Sequence, residues 1–162
     1  MAVYKIQLEE INEIDYQLIA IHTPLEDYQL AYHLNKNLPV HLSKSKKGIM
    51  VNTRIGETEL ALFEYCDTNN QCVWNLIQNK NVIVQNQTSK ETTMFMGTTQ
   101  KVSSKGYLLP EFKTVDYFLK IESDLQPNQI EIISQQINKI ERVTTVYSLK
   151  VETIKSKNNL IF

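Results

Sequence analysis

The runs TELALFEYCD (58–67) and QCVWNLIQN (71–79) are separated only by Thr68-Asn69-Asn70. Both mix β-branched, aromatic and aliphatic residues in the manner of strands. So short a linker cannot carry the chain back to begin a parallel strand, which takes a crossover of about a dozen residues or more. The two runs are therefore expected to pair as an antiparallel hairpin. Asn79-Lys80-Asn81 reads as a second turn and VIVQNQT after it as a third strand, so the middle of the chain is predicted to be an antiparallel meander.

The flanking segments add helices. DYQLIAIHT (15–23) reads as a strand, and Thr23-Pro24-Leu25-Glu26 as a helix start, with a threonine cap and a glutamate placed to close a capping box. Leu30, Ala31, Leu34 and Leu38 form one apolar stripe, which Asn37 and Pro39 terminate. VDYFLKIE (115–122) is predicted as a strand, followed by a helix from near Pro127 that puts Ile130, Ile133, Ile137 and Ile140 on one face. RVTTVYSLKV (142–151) alternates Val143, Thr145, Tyr147, Leu149 and Val151 on one side and reads as a strand. MFMGTTQKVSSKG (94–106) is expected to leave a strand near 92–96 for a loose Ser/Lys/Gly loop. No Pro-, Gly- or Ser-rich linker divides the chain. The expected architecture is α+β: a single domain over residues 1–162, a mainly antiparallel sheet of five or more strands with two helices packed on one face.

Composition narrows the function classes. The chain has 162 residues, 42% hydrophobic and 22% charged, which suits a globular core and argues against disorder. A net charge of −1 supplies no global field toward nucleic acid or anionic lipid, so neither is expected as a partner. The opening MAVYKIQLEEINEID lacks the basic-then-apolar pattern of a secretion signal. The apolar runs fall far short of the ~20 residues needed to span a bilayer. A cytoplasmic protein is expected, with Cys66 and Cys72 as free thiols.

LPEFKTVDYFLKIES (109–123) holds the densest set of chemically interesting residues. In a strand, Val115, Tyr117, Leu119 and Ile121 share the core face, and Asp116 points away with Phe118, Lys120 and Glu122. Glu111 precedes the strand, so it and Asp116 are not forced onto one face as a general acid/base pair requires. Structural roles are expected. Pro110 stiffens the approach to the strand, Tyr117 packs with its hydroxyl on a polar partner, and Asp116 bonds backbone or a nearby lysine. The alternative is an enzyme using Glu111, Asp116 or Tyr117.

The same stretch, LPEFKTVDY, resembles the signature of the IPExxxVDY family, small proteins of Bacteroidota. Pro110, Glu111, Val115, Asp116 and Tyr117 match its fixed letters, and Leu109 replaces isoleucine at similar volume. The resemblance extends through FLKIES and the terminal LKVETIKSKNNLIF, and implies one IPExxxVDY-like domain over residues 1–162. It implies no activity, because that family has none assigned.

Other chemistries find little support. His22, His33 and His41 have no metal-ligand spacing and there is no Cys-x-x-Cys, so neither a metal nor a cofactor is expected. Cys66 and Cys72 flank the hairpin turn and form a redox pair only if they are cross-strand partners; two small semi-buried hydrophobes are expected instead. The glycines at 48, 56, 97 and 106 build neither a phosphate loop nor a dinucleotide fingerprint. No catalytic residue is assigned. Lys44, Lys46, Lys47 and Arg54 gather in SKSKKGIMVNTR (43–54), read as a solvated mobile loop open to an acidic protein partner, with RNA contact as the alternative. The expected function is a non-catalytic protein-interaction module that binds another protein, or itself as a homodimer, through exposed sheet edges.

Overall fold

The computed structural model describes residues 16–87 and 100–162. Along these the elements run β1 (Tyr16–His22), α1 (Asp27–Asn37), β2 (Ser43–Lys44), β3 (Ile49–Thr53), β4 (Gly56–Leu60), β5 (Leu62–Asp67), β6 (Cys72–Gln78), β7 (Lys80–Gln87), β8 (Gln100–Tyr107), β9 (Tyr117–Glu122), α2 (Pro127–Asn138) and β10 (Thr145–Leu149). β5 and β6 make the predicted hairpin, with Phe63 opposite Leu76 and Tyr65 opposite Trp74. Asp67 organises its turn by accepting from the Asn69 N–H at 3.0 Å and the Asn70 amide at 2.6 Å.

The meander ends there. Instead of turning at Asn79-Lys80-Asn81, β6 runs on through Asn79 into β7, which leaves the main sheet and pairs with β8. The vacant side of β6 is taken by β9, and β1 lies beyond it. The result is a six-stranded antiparallel sheet in the order β10-β1-β9-β6-β5-β2, with β3–β4 and β7–β8 as separate two-stranded ribbons. The fold is α+β, as expected. The ribbons press together at Gly106, where an added Cβ would stand 2.7 Å from Thr58 Cγ2 and 2.8 Å from Val51 Cγ2. Glycine at this position lets β8 lie directly on β3 and β4. The loose Ser/Lys/Gly loop expected after the strand near 92–96 is thus strand from Gln100 on, and the basic loop expected over 43–54 contains β2 and β3. The strand expected near 92–96 lies outside the described residues.

Both helices sit on one face of the sheet. Leu30, Ala31 and Leu34 of α1 and Ile130 and Ile137 of α2 meet Ile19, Ile21, Leu76, Trp74, Leu119 and Ile121. The cap of α1 is Glu26, not Thr23: Glu26 and Gln29 close the capping box. The Thr23 hydroxyl instead donates to Arg142 O at 2.8 Å and accepts from Leu25 N. α2 begins with Pro127 in its first turn and an equivalent box of Gln126 and Gln129.

The other face is also covered. Leu18, Ala20, Leu62, Ile77 and Phe118 pack against Leu108, Leu109, Val115, Val151, Ile154 and Leu160. The central strands β1, β9 and β6 are buried on both sides, so alternation along β9 separates two cores rather than core from solvent. That corrects two expectations. Val115 precedes the strand and belongs to the second core, apart from Tyr117. Phe118 is fully buried and Lys120 only 6% exposed. β10 is likewise shorter than predicted, and it exposes Thr145 and Tyr147 while Val146 faces the helices.

Asn79 makes the passage between sheets possible. It is fully buried. Its N–H donates to Asp116 O at 2.9 Å and its C=O accepts from Leu108 N at 2.7 Å. Its side-chain amide donates to Phe112 O and Val115 O, both at 2.8 Å, and its side-chain oxygen accepts from Leu109 N at 3.0 Å. Removing that amide strands the Val115 carbonyl and the Leu109 N–H in the interior and leaves Phe112 O with only its bond from Val115 N. Asn79→Ala is expected to cost about 2–4 kcal/mol in urea melts. A loss below about 1 kcal/mol would mean that these groups find other partners.

Candidate functional site

Pro110, Glu111, Val115 and Asp116 lie in the link from β8 to β9, and Tyr117 opens β9. Pro110 opens a single 3-10 turn, Pro110–Phe112, where its missing N–H is not needed. That turn aims Glu111 at the C-terminal segment. One carboxylate oxygen accepts from the N–H groups of Lys155 and Ser156, each at 2.9 Å, and the other accepts from the Ser156 hydroxyl at 2.9 Å. Desolvation raises the Glu111 carboxyl, but the bonds from Ser156, its own N–H and Lys155 outweigh it and hold the group below its ordinary value.

Asp116 faces the β1–α1 corner. Its Oδ2 accepts from Thr23 N at 2.9 Å, and its Oδ1 lies 2.7 Å from Lys80 Nζ. Both partner types expected for Asp116 are present. Tyr117 points into the helix-side core and donates its hydroxyl to Leu25 O at 2.8 Å. Burial, then the charges of Asp27, Glu26 and Asp116, push its phenol far above the ordinary value. Such a hydroxyl is no base at neutral pH. The three groups thus serve the tail, the β1–α1 corner and the start of α1 respectively, and do not converge on a shared cavity.

Lys120 has the least ordinary surroundings and carried no local sequence signal. Its ammonium donates to Leu160 O at 2.9 Å, pairs with Glu122 at 2.6 Å, and lies 4.9 Å from the Tyr16 ring and 5.0 Å from the Phe162 ring. Those rings come from positions far away in the chain, so only the fold assembles the cage. A buried ammonium requires such partners.

The basic run of the sequence disperses. Lys44 is tied to Asp27 at 3.0 Å, and Lys46 and Lys47 project from the β2–β3 connection. Arg54, on the β3–β4 turn, shares a groove of about 570 Å³ with Lys105 and Lys113. The cysteines do not pair: Cys66 stands opposite Val73 and Cys72 opposite Asp67, one exposed and the other buried. His22 stacks on Tyr147 with Nε2 3.1 Å from its hydroxyl. Among the described residues no cluster of His, Cys, Asp or Glu is arranged to hold a metal ion, and no helix is long and apolar enough to cross a membrane. No protein-family model, curated protein or solved structure matches the chain.

Two outcomes follow from the signature geometry. Tyr117→Phe is expected to cost about 1 kcal/mol for the lost hydroxyl bond, and Tyr117→Ala about 3–5 kcal/mol. Equal losses in urea melts would remove the packing role. For Glu111, a depressed folded value means that its contribution is present above its ordinary 4.5 and disappears as pH falls through the lower folded value. Glu111→Gln is therefore expected to be less stable than the parent at neutral pH, with the gap closing as the pH falls below that ordinary value and through the lower folded one. A gap unchanged over the acid range would contradict the clamp.

Proposed function

We propose that this chain is a non-catalytic binding module that takes up an extended segment of another protein along β10, beside α2. One observation carries this reading. β10 pairs with β1 on one side, and among the described residues no strand pairs with its other edge. A groove of about 450 Å³ runs beside that edge, lined by Ile130, Glu131, Ser134 and Gln135 of α2 and by Val146 and Ser148 of β10. An open strand edge offers backbone donors and acceptors to an extended chain, and the flanking helix offers pockets to its alternate side chains. Glu131 is the charged residue of that lining, so a lysine or arginine in the bound segment complements it.

The signature residues are read here as architectural. Support comes from the separate hydrogen-bond duties of Glu111, Asp116 and Tyr117, which also weigh against an enzyme built on them. Placement among the IPExxxVDY proteins rests on the five matching letters, and a cytoplasmic setting on the composition of the chain.

A photo-crosslinking amino acid at the exposed Ser148 tests the reading in cells. The expected product is a crosslink to a short segment of another protein, with yield reduced about tenfold by Glu131→Lys. A crosslink only between copies, with a dimer in sedimentation equilibrium, would replace the outside partner by a homodimer. Crosslinks indifferent to Glu131→Lys would defeat the groove assignment.

A further inference from the structure

The groove beside β8 brings together cations that the sequence keeps far apart. Arg54 comes from the β3–β4 turn, Lys105 from β8, and Lys113 from the turn before β9, with Asn52, Ser103 and Ser104 as neutral hydrogen-bonding groups among them. Among the described residues no acidic side chain lines this groove. Among the described residues none of the three cations has an ion-pair partner, whereas Lys44, Lys80 and Lys120 are each paired. Like charges gathered at one opening repel, and an anion bound between them relieves the repulsion.

The supports are rigid. The turn carrying Arg54 is pinned by the Thr53 hydroxyl, which donates to Gly56 O at 2.8 Å and accepts from Ile55 N. β8 is held against that ribbon by the close approach at Gly106. Lys113 follows the turn whose Phe112 carbonyl is bonded by Asn79, and its ammonium lies 5.8 Å from the Tyr107 ring. The backbone positions that carry the cations are therefore fixed before any ligand arrives, which leaves only their side chains to be ordered.

We propose that this groove binds phosphate groups, with the Arg54 guanidinium as a two-pronged donor and Lys105 and Lys113 as flanking charges. A planar guanidinium matches two phosphate oxygens at once, and ammonium groups serve as mobile point charges around them. Ser103, Ser104 and Asn52 supply uncharged donors for further oxygens. The site takes a ligand with several phosphate charges, either free or strung along a single-stranded nucleic acid. It is independent of the β10 edge and shares no residue with it.

The test uses the full chain, a fluorescein-labelled twelve-residue oligouridylate and sodium tripolyphosphate, in fluorescence anisotropy at about 50 mM salt. Arg54→Gln/Lys105→Gln/Lys113→Gln is compared with Lys44→Gln/Lys46→Gln/Lys47→Gln, which removes equal charge elsewhere. The expected result is a loss of about tenfold or more in affinity for the groove variant, and under about twofold for the control. Binding of the oligonucleotide that tripolyphosphate displaces upholds the site for both sources. Binding of one probe alone upholds it and identifies the source. Equal weakening by both variants, or no binding of either probe below about 1 mM, would overturn it. Amide shifts of the parent protein on adding tripolyphosphate give a reading that needs no variant. Shifts confined to 52–54, 103–107 and 113 are expected, and shifts centred elsewhere count against the site.

Discussion

The buried amide of Asn79 is the interaction on which the architecture turns. At this residue the chain leaves the six-stranded sheet for the second pair of ribbons, and opposite it the return segment 108–116 runs without a ladder of its own. Buried backbone groups in such a segment must find partners or cost about 1–3 kcal/mol each. Asn79 provides them with five hydrogen bonds, through both its peptide groups and its side chain. Few side chains can do this, since the geometry asks for two donors and an acceptor on one short planar group. Aspartate at this position would lose both donors and set a charge against two carbonyls.

With segment 108–116 fixed, its polar side chains can hold other parts of the molecule. The Pro110 turn presents Glu111 to the backbone of Lys155 and Ser156, which directs the C-terminal segment across the second core until Leu160 is buried there. Lys120 then grips the Leu160 carbonyl and Asn159 donates to Leu108 O, so the tail that covers the core is held at several points. In the other direction Asp116 holds Thr23 N and Tyr117 holds Leu25 O, setting the angle at which α1 leaves β1. A carboxylate or phenol at a chain corner looks like chemistry in a linear sequence. Bonded to backbone, it acts as a brace.

What could be read from the sequence follows the range of each interaction. The β5–β6 hairpin, the stripe Leu30-Ala31-Leu34 and the Pro127 helix depend on neighbours a few residues away, and all are present. Asn79-Lys80-Asn81 misleads because its letters suit a turn, while the outcome is decided by β8 and β9, which supply better partners from far along the chain. The same distance hides Lys120, whose aromatic partners lie at opposite ends of the described chain. β9 misleads for a different reason. Alternation tells which residues share a face, but not whether the other face meets water, and here the tail and the 108–115 segment cover it. Thr23 shows a local competition: its hydroxyl serves Arg142 O and Leu25 N, so capping passes to Glu26 three residues on.

Charge shows the limit of composition most clearly. A net of −1 argues against an anionic partner only if the charges are evenly mixed over the surface. They are not. Lys44, Lys80 and Lys120 are neutralised by Asp27, Asp116 and Glu122 within the fold, whereas Arg54, Lys105 and Lys113 meet at one groove with no acidic lining among the described residues. At physiological salt a charge is felt over about 8–10 Å, so acidic residues far from that opening scarcely offset the three cations, and Glu57, cross-strand from Asn52, is an acidic neighbour outside the lining. The basic run visible in the sequence is therefore the wrong set of residues. Only Arg54 belongs to the spatial cluster, and the close packing at Gly106 is what lays β8, with Lys105, against the ribbon that carries it.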